Sequence, residues 1–424
     1  MLAFASMTKS SSMHRRWLIL VVLFVARTAM GFQYQTVGSV APMLSGALHV
    51  GFAEIGTLIG LYHISGVFLA LPGGLIIRRL GDKNLCGVGL ALMAGGGVIM
   101  SFSDSYSVLF AGRLASGMGA ILFNLVLTKM VTDWFARREI VLAMAVILST
   151  WPFGIALGLF TEPLIAAAFG WRVVMLLAGG ICVLSLVLVG LCYRSPPDES
   201  GIGAPRSETT APPSALSPPR VLAPVIAAGV MWGSFNAGLV AYFSFVPSFL
   251  ADGGRMTLAQ AGALTSLALW VGMVSIPFGG YVVQRIGRPL VTIVVFCVLA
   301  ATSLALIAAG VPPLLACIAF GVSIGPPPGV ITSLPARVLA PAQRATGLGI
   351  FYTCHFLLQA SGPAVAGWIH DAAGGSAAVL FGAAMFLVPL PLLAVFEILA
   401  ARLVPVLQPA LLRAATPGFP PARE

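Results

Sequence analysis

Two arginines stand where an apolar helix gives a charge few partners. Arg27 lies ten residues into an apolar run that begins at Trp17. At about 1.5 Å per residue that depth is roughly 15 Å, near the middle of a bilayer. Placing an arginine there costs on the order of 2.5–3.5 kcal/mol, so such a residue faces a cavity or a partner. The plainer partner is an acid on a neighbouring helix. The thirteen Asp and Glu residues, however, nearly all map to loops or span ends, and none is expected at the depth of Arg27. Arg113 opens a second apolar run nine residues after Asp104. It either converges with Arg27 or packs helices together, and both readings stay open. A guanidinium about 4 Å from a unit negative charge gains roughly 4 kcal/mol at an effective dielectric of 20. Its planar fork also suits a carboxylate or oxyanion. A small monovalent anion, organic or inorganic, is the expected solute.

Other polar residues fall on helical faces near these charges. Asn124 and Thr128 follow Arg113 by eleven and fifteen residues, roughly on its face, whereas Lys129 is turned away and is expected to snorkel to the interface. Trp151, Asn236 (one turn after Trp232), His355 and Gln359 (one turn apart) complete the candidate binding set. His63 and His355 lie near mid-span and are candidates to titrate near neutral pH. A histidine bonded to a backbone or hydroxyl group is the plainer reading for each. With no acid expected inside the membrane, coupling would come from a proton carried with the anion or from exchange of two anions. In Gly325-Pro326-Pro327-Pro328-Gly329, Pro327 and its neighbours must break helical hydrogen bonding, as a gating kink or as carbonyls bared to a cavity.

Enzymatic and metal chemistry are not expected. Neither a Ser-His-Asp set nor His-x-x-x-His spacing occurs, and the six cysteines lie in apolar stretches without a Cys-x-x-Cys pair. No cofactor is expected.

The elements that hold these residues follow from composition. The chain has 424 residues, 58% hydrophobic and 8% charged, against about 25% charged in an ordinary soluble domain. Lipid must therefore solvate most of it. The 48 glycines and 30 prolines are tolerated in membrane helices, where neighbours approach closely and repair broken hydrogen bonds. Apolar runs predict spans near 17–41, 53–77, 85–103, 106–131, 140–161 and 172–192. Six more are expected near 221–249, 258–283, 289–310, 313–336, 345–369 and 377–400. With the N-terminus inside, 18 of the 23 Lys and Arg fall on the cytoplasmic side; only Arg172 and Arg255 fall outside, and Arg27, Arg113 and Lys129 within spans. That asymmetry predicts cytoplasmic termini in an inner membrane. It also explains the net charge of +10 without nucleic acid. Arg15-Arg16 before an apolar run has the outline of a signal peptide, but Arg27 interrupts it and the run continues to Ala41, so an uncleaved first helix is expected.

The chain repeats itself. Gly74-x-x-x-Arg78-Arg79-x-Gly81 returns as Gly280-x-x-x-Gln284-Arg285-x-Gly287, a shift of 206 residues that also carries Gly119 onto Gly325. The expected units are residues 1–193 and 221–424, joined by a Pro- and Ser-rich cytoplasmic linker at 194–220.

The segment from Gly74 to Lys83 resembles the signature loop of the major facilitator superfamily, and Arg113-x-x-x-Gly117-x-Gly119 its second motif. Gly170-Trp171-Arg172 and Gly362-Pro363-x-x-x-Gly367-x-x-x-Asp371 are also typical. A narrower likeness, carried by Thr128 to Phe135 with Trp151-Pro152-x-Gly154, is to the cyanate/nitrate-permease-like branch. The resemblance implies an all-α fold of twelve transmembrane helices in two pseudo-symmetric six-helix bundles, working by alternating access as a monomer. It also implies coupling or gating roles for Gly74, Arg79, Gly81, Asp82, Arg285 and Gly287, beside those expected of His63 and Pro327 from their own positions. The loop departs from the family where Arg78 stands for the usual acid and Asp82 for the usual base, so Asp82 is the candidate to take the acid's role. The rival function is a proton-coupled exporter of drugs or metabolites.

Overall fold

A computed structural model describes residues 2–69, 76, 79–135, 139–194, 219–252, 254, 256–340 and 343–415. The described residues form helices and no strand. In the first half the spans are Leu2–Ser39 (carried on by Ala41–Leu48), Phe52–Leu69, Asp82–Ser101, Tyr106–Phe135, Ile140–Phe169 and Trp171–Cys192. The second half holds Pro219–Ala251, Leu258–Ile286, Pro289–Ala308, the pair Pro313–Ser323 and Pro327–Ser333, Arg344–Ala373, and Gly375–Leu387 with Pro389–Ala415. They are numbered one to twelve below. Gly74, Arg78 and nearly all of the expected linker lie outside the described residues.

Eleven spans are long and apolar enough to cross a membrane. Span eleven has the length, at 30 residues, but not the apolar content, because it carries His355 and Gln359, which are buried against other helices. Large apolar side chains such as Val274 and Trp368 remain exposed, the surface expected of a protein dissolved in lipid.

The largest correction to the expected boundaries is in span five. Glu162-Pro163 reads as its end, yet the helix runs on to Phe169. A proline at 163 lacks only the bond to residue 159, and the apolar run after it keeps the helix worth forming.

Packing repeats with the sequence. Span one packs on five and six as seven packs on eleven and twelve, and two packs on four as eight packs on ten. The halves meet through two related pairs, spans two with eleven and five with eight, and through one with seven. Small residues make the seam tight: a Cβ at Gly56 or Gly60 would strike the carbonyl of Pro363 or Ala360 in span eleven. The repeated loop glycines share a property too, since Gly81 (φ 73°) and Gly287 (φ 67°) both have backbone that a side chain disfavours.

Among the described residues, hydrogen bonds between the halves gather at one end of the bundle. We name it outer, after the orientation expected from the basic loops. There Asp371, at the end of span eleven, accepts from the first amides of span two, Phe52 N (2.9 Å) and Ala53 N (2.8 Å). A carboxylate on a helix N-terminus satisfies orphan donors and meets the positive end of the dipole. Gln35 of span one donates to the Phe243 carbonyl of span seven at 3.1 Å. The described ion pairs at the opposite end stay within one half, as with Arg16–Glu139 and Arg337–Glu397.

Candidate functional site

The two deep arginines are in different surroundings. Arg113 is fully buried, and its guanidinium donates to three carbonyls: Leu58 (3.1 Å), Gln33 (2.8 Å) and Tyr34 (2.5 Å). Its cation also lies 4.6 Å from the centre of the Tyr62 ring and 5.7 Å from that of Tyr34. These contacts tie span four to spans one and two. The structure therefore places Arg113 as a clamp of the N-terminal half, with each guanidinium nitrogen donating to a backbone carbonyl.

Arg27 is half-buried on span one. Its Nε is sealed from solvent without a hydrogen-bond partner, and no ion pair reaches it among the described residues. Spans one and five run side by side and place its neighbours. Gly31 lies against the Trp151 carbonyl and Gly154, and Gln35 against Gly158. That register sets Arg27 and Trp151 at nearly the same depth.

Aromatic rings fill the layer above Arg27. Tyr34 lies 5.3 Å from Trp151 and 4.9 Å from His63, centroid to centroid. His63 also meets Phe356 of span eleven at 6.5 Å, and Phe356 meets His355 at 4.9 Å. His355 stacks on Trp232 of span seven at 5.6 Å. The structure thus brings His63 and His355 to one aromatic layer spanning both halves. The Nδ1 atom of each has no partner.

The remaining amides are dispersed. Asn236 donates to its own helix at the Trp232 carbonyl (2.8 Å), while Gln359 is buried a turn from His355. Asn124 is half-buried in span four without a described side-chain bond. A crevice of about 460 Å³ near Phe249 and Ile307 lies at the outer end, away from this layer.

The loop residues form a separate group. Asp82 takes a hydrogen bond from Lys129, which also reaches Asp133 at 2.9 Å. Lys129 therefore bridges span three and the end of span four. Arg79 and Arg285 are exposed without an ion pair among the described residues. Pro327 opens the second part of span ten. The break begins one residue earlier: Pro326 has no N–H to give the Val322 carbonyl, and Ser275 of span eight donates to that oxygen instead, at 2.7 Å. This carbonyl is satisfied by protein rather than bared to a cavity.

Glu162 corrects the expectation that no acid lies inside the membrane. Read from the sequence as a span end, it is fully buried in span five. The apolar run from Leu164 to Phe169 carries the helix past it, and that run is the signal for its depth.

Similarity to known proteins agrees with this architecture. The family model described as Major Facilitator Superfamily matches residues 23–363 and 256–417. The chain is 26% identical over 352 residues to the inner membrane transport protein YajR of Escherichia coli (strain K12), covering 78% of this chain and 72% of YajR. It is 24% identical over 370 residues to the 4-hydroxybenzoate transporter PcaK of Pseudomonas aeruginosa, covering 78% and 81%. Its fold matches the crystal structure of a mutant of the nucleoside transporter NupG with a TM-score of 0.73 at 16% identity, covering 91% of this chain and 99% of that one. Helical architecture, repeated packing and the family match together make this chain a multi-pass membrane transporter of the Major Facilitator Superfamily, not an enzyme.

Proposed function

We propose that the chain carries a small anion across the membrane by alternating access, with Arg27 recognising the negative charge. The observation that carries this reading is the Arg27 guanidinium, half-buried in the membrane with no counter-ion among the described residues. The aromatic layer at Tyr34, His63 and Trp151 would hold the rest of the solute. A relative named for the transport of 4-hydroxybenzoate, an organic anion, supports the same class. In this reading residues 1–193 and 221–424 rock about their seam, linked by 194–220, with cytoplasmic termini and no need of a second copy. Hydrogen bonds that join the halves at the outer end fit a state open to the inner side.

Counterflow in proteoliposomes tests the proposal, using cyanate, nitrate, formate, a monocarboxylate and an amino-acid-like acid. Wild type is expected to exchange at least one of them, and Arg27→Ala to lose that exchange. Undiminished exchange in the variant removes Arg27 from the site. The exporter reading is favoured by one observation, the buried Glu162, since proton antiport calls for an intramembrane acid. Absence of exchange for every anion, together with drug uptake driven by a proton gradient in inverted vesicles, would select it.

A further inference from the structure

Two rows of aromatic rings leave the neighbourhood of Arg27 and cross to the second half by different seams. The first is the layer described above, from Trp151 through Tyr34 and His63 to Phe356 of span eleven. The second begins one turn before Arg27. Phe24 of span one meets Phe153 of span five at 5.7 Å between centroids, and Phe153 meets Trp270 of span eight edge to face, at 5.6 Å and 87°. Phe24 and Arg27 are three residues apart on one helix, so they are neighbours on its surface. Spans two with eleven and five with eight are the paired contacts between the halves, and each carries one of these rows. Phe24, Trp151, Phe153, Trp270 and Phe356 are all half-buried, so each ring keeps surface that the protein does not cover.

Polar groups among these rings are poorly placed to serve a solute. The hydroxyls of Thr28, next to Arg27 in the chain, and of Tyr34 are sealed from solvent. Asn236 donates to the Trp232 carbonyl of its own helix. These surroundings separate the classes of anion. An inorganic anion such as nitrate meets the guanidinium but leaves the ring surfaces uncovered. A sugar acid offers a carboxylate, yet each of its hydroxyls would leave water without a partner among the rings. A carboxylate borne on an aromatic ring uses both features: the guanidinium fork matches the carboxylate, and the ring stacks on its neighbours or meets them edge to face. An aliphatic acid of equal size covers similar area but lacks the quadrupole that favours such ring pairs.

We infer that the solute is an aromatic monocarboxylate, with its carboxylate on Arg27 and its ring among Trp151, Phe153 and Trp270. The inference rests on the anion reading above and adds to it a substrate class and a contact from the second half. Charge is recognised by span one, and ring shape by spans five and eight together. Trp270 is then the specificity-determining residue of the C-terminal half.

Isothermal titration of the full-length protein in lipid nanodiscs at neutral pH tests this with benzoate, cyclohexanecarboxylate, acetate and glucuronate. Benzoate is expected to bind about tenfold more tightly than cyclohexanecarboxylate, the scale of one or two aromatic pairs, with acetate and glucuronate weaker still. Trp270→Leu is expected to lower benzoate to the affinity of cyclohexanecarboxylate, and Trp270→Phe to keep the preference. The four probes on the wild type decide the matter if the leucine variant fails to fold. Equal affinity for benzoate and cyclohexanecarboxylate overturns the inference, as does a preference for benzoate that survives in Trp270→Leu. If benzoate is not bound while nitrate or formate exchanges through Arg27, the inference fails and the anion reading stands. If benzoate binds undiminished to Arg27→Ala, both fail.

Discussion

Arg113 and Arg27 are both arginines within the N-terminal half, yet the protein treats them in opposite ways, one fully buried and the other half-buried. Arg113 has every nitrogen of its guanidinium on a backbone carbonyl and two tyrosine rings around it. Arg27 has an Nε with no partner. A buried cation whose every nitrogen donates to backbone is part of the scaffold, because removing it strands the carbonyls it served. Under the proposed function, the unpartnered guanidinium of Arg27 is left to meet the charge of the solute. Residue type is shared by the two; the difference lies in what the neighbouring backbone offers.

Substitution can break that contrast. Arg113→Ala leaves the Leu58, Gln33 and Tyr34 carbonyls without their buried donor, and should cost about 3–5 kcal/mol of stability. Thermal unfolding in detergent should show a large fall, and an unchanged midpoint would end the clamp reading. Arg27→Ala should leave that midpoint within a few degrees while anion affinity falls roughly tenfold to a hundredfold, the scale of a lost charge-assisted hydrogen bond. Isothermal titration or counterflow would read it. If both variants lose stability alike, the two sites are not different in kind.

Smaller effects sharpen the comparison elsewhere. Ser275→Ala strands the Val322 carbonyl at the break in span ten and should destabilise by about 1–2 kcal/mol, with hydrogen exchange rising around residues 322–325. Asp371→Ala removes the cap on span two, worth about 1 kcal/mol; the expected result is a larger outward-open fraction in pulsed distances between spin labels at Phe102 and Val311, just past the outer ends of spans three and nine. Lys129→Ala breaks a half-exposed cluster with Asp82 and Asp133 and should change stability by less than about 1 kcal/mol.

The fold was legible because lipid imposes a coarse rule that composition obeys. Spans follow from apolar runs broken by basic clusters and the 206-residue repeat from matched glycines and arginines, and the paired packing of the two halves repeats that register. The boundary at Glu162 failed because an acid followed by proline usually ends a span; only a cradle of Gly158, Gln35 and Ser39, drawn from two helices, allows the helix to continue around it. Arg113 was open between two readings for a related reason. Its carbonyl partners carry no side-chain signature, so nothing in the sequence marks Leu58, Gln33 and Tyr34 as its acceptors. His63 and His355 could be placed at mid-span, but their meeting around Phe356 depends on the close approach of spans two and eleven.

The unpaired charge on Arg27 has a kinetic consequence under the proposed function. A carrier returning empty must close around a cation with nothing to neutralise it, whereas a loaded carrier closes around a neutral pair. Desolvating the lone charge adds to the barrier of the empty return and not to that of the loaded crossing. Exchange of one solute molecule for another should therefore run faster than net movement, and Arg27→Ala should narrow that gap by relieving the empty return even as it weakens recognition. Equal rates for exchange and net flux in the wild type would show that the empty carrier finds a neutralising partner on its way back.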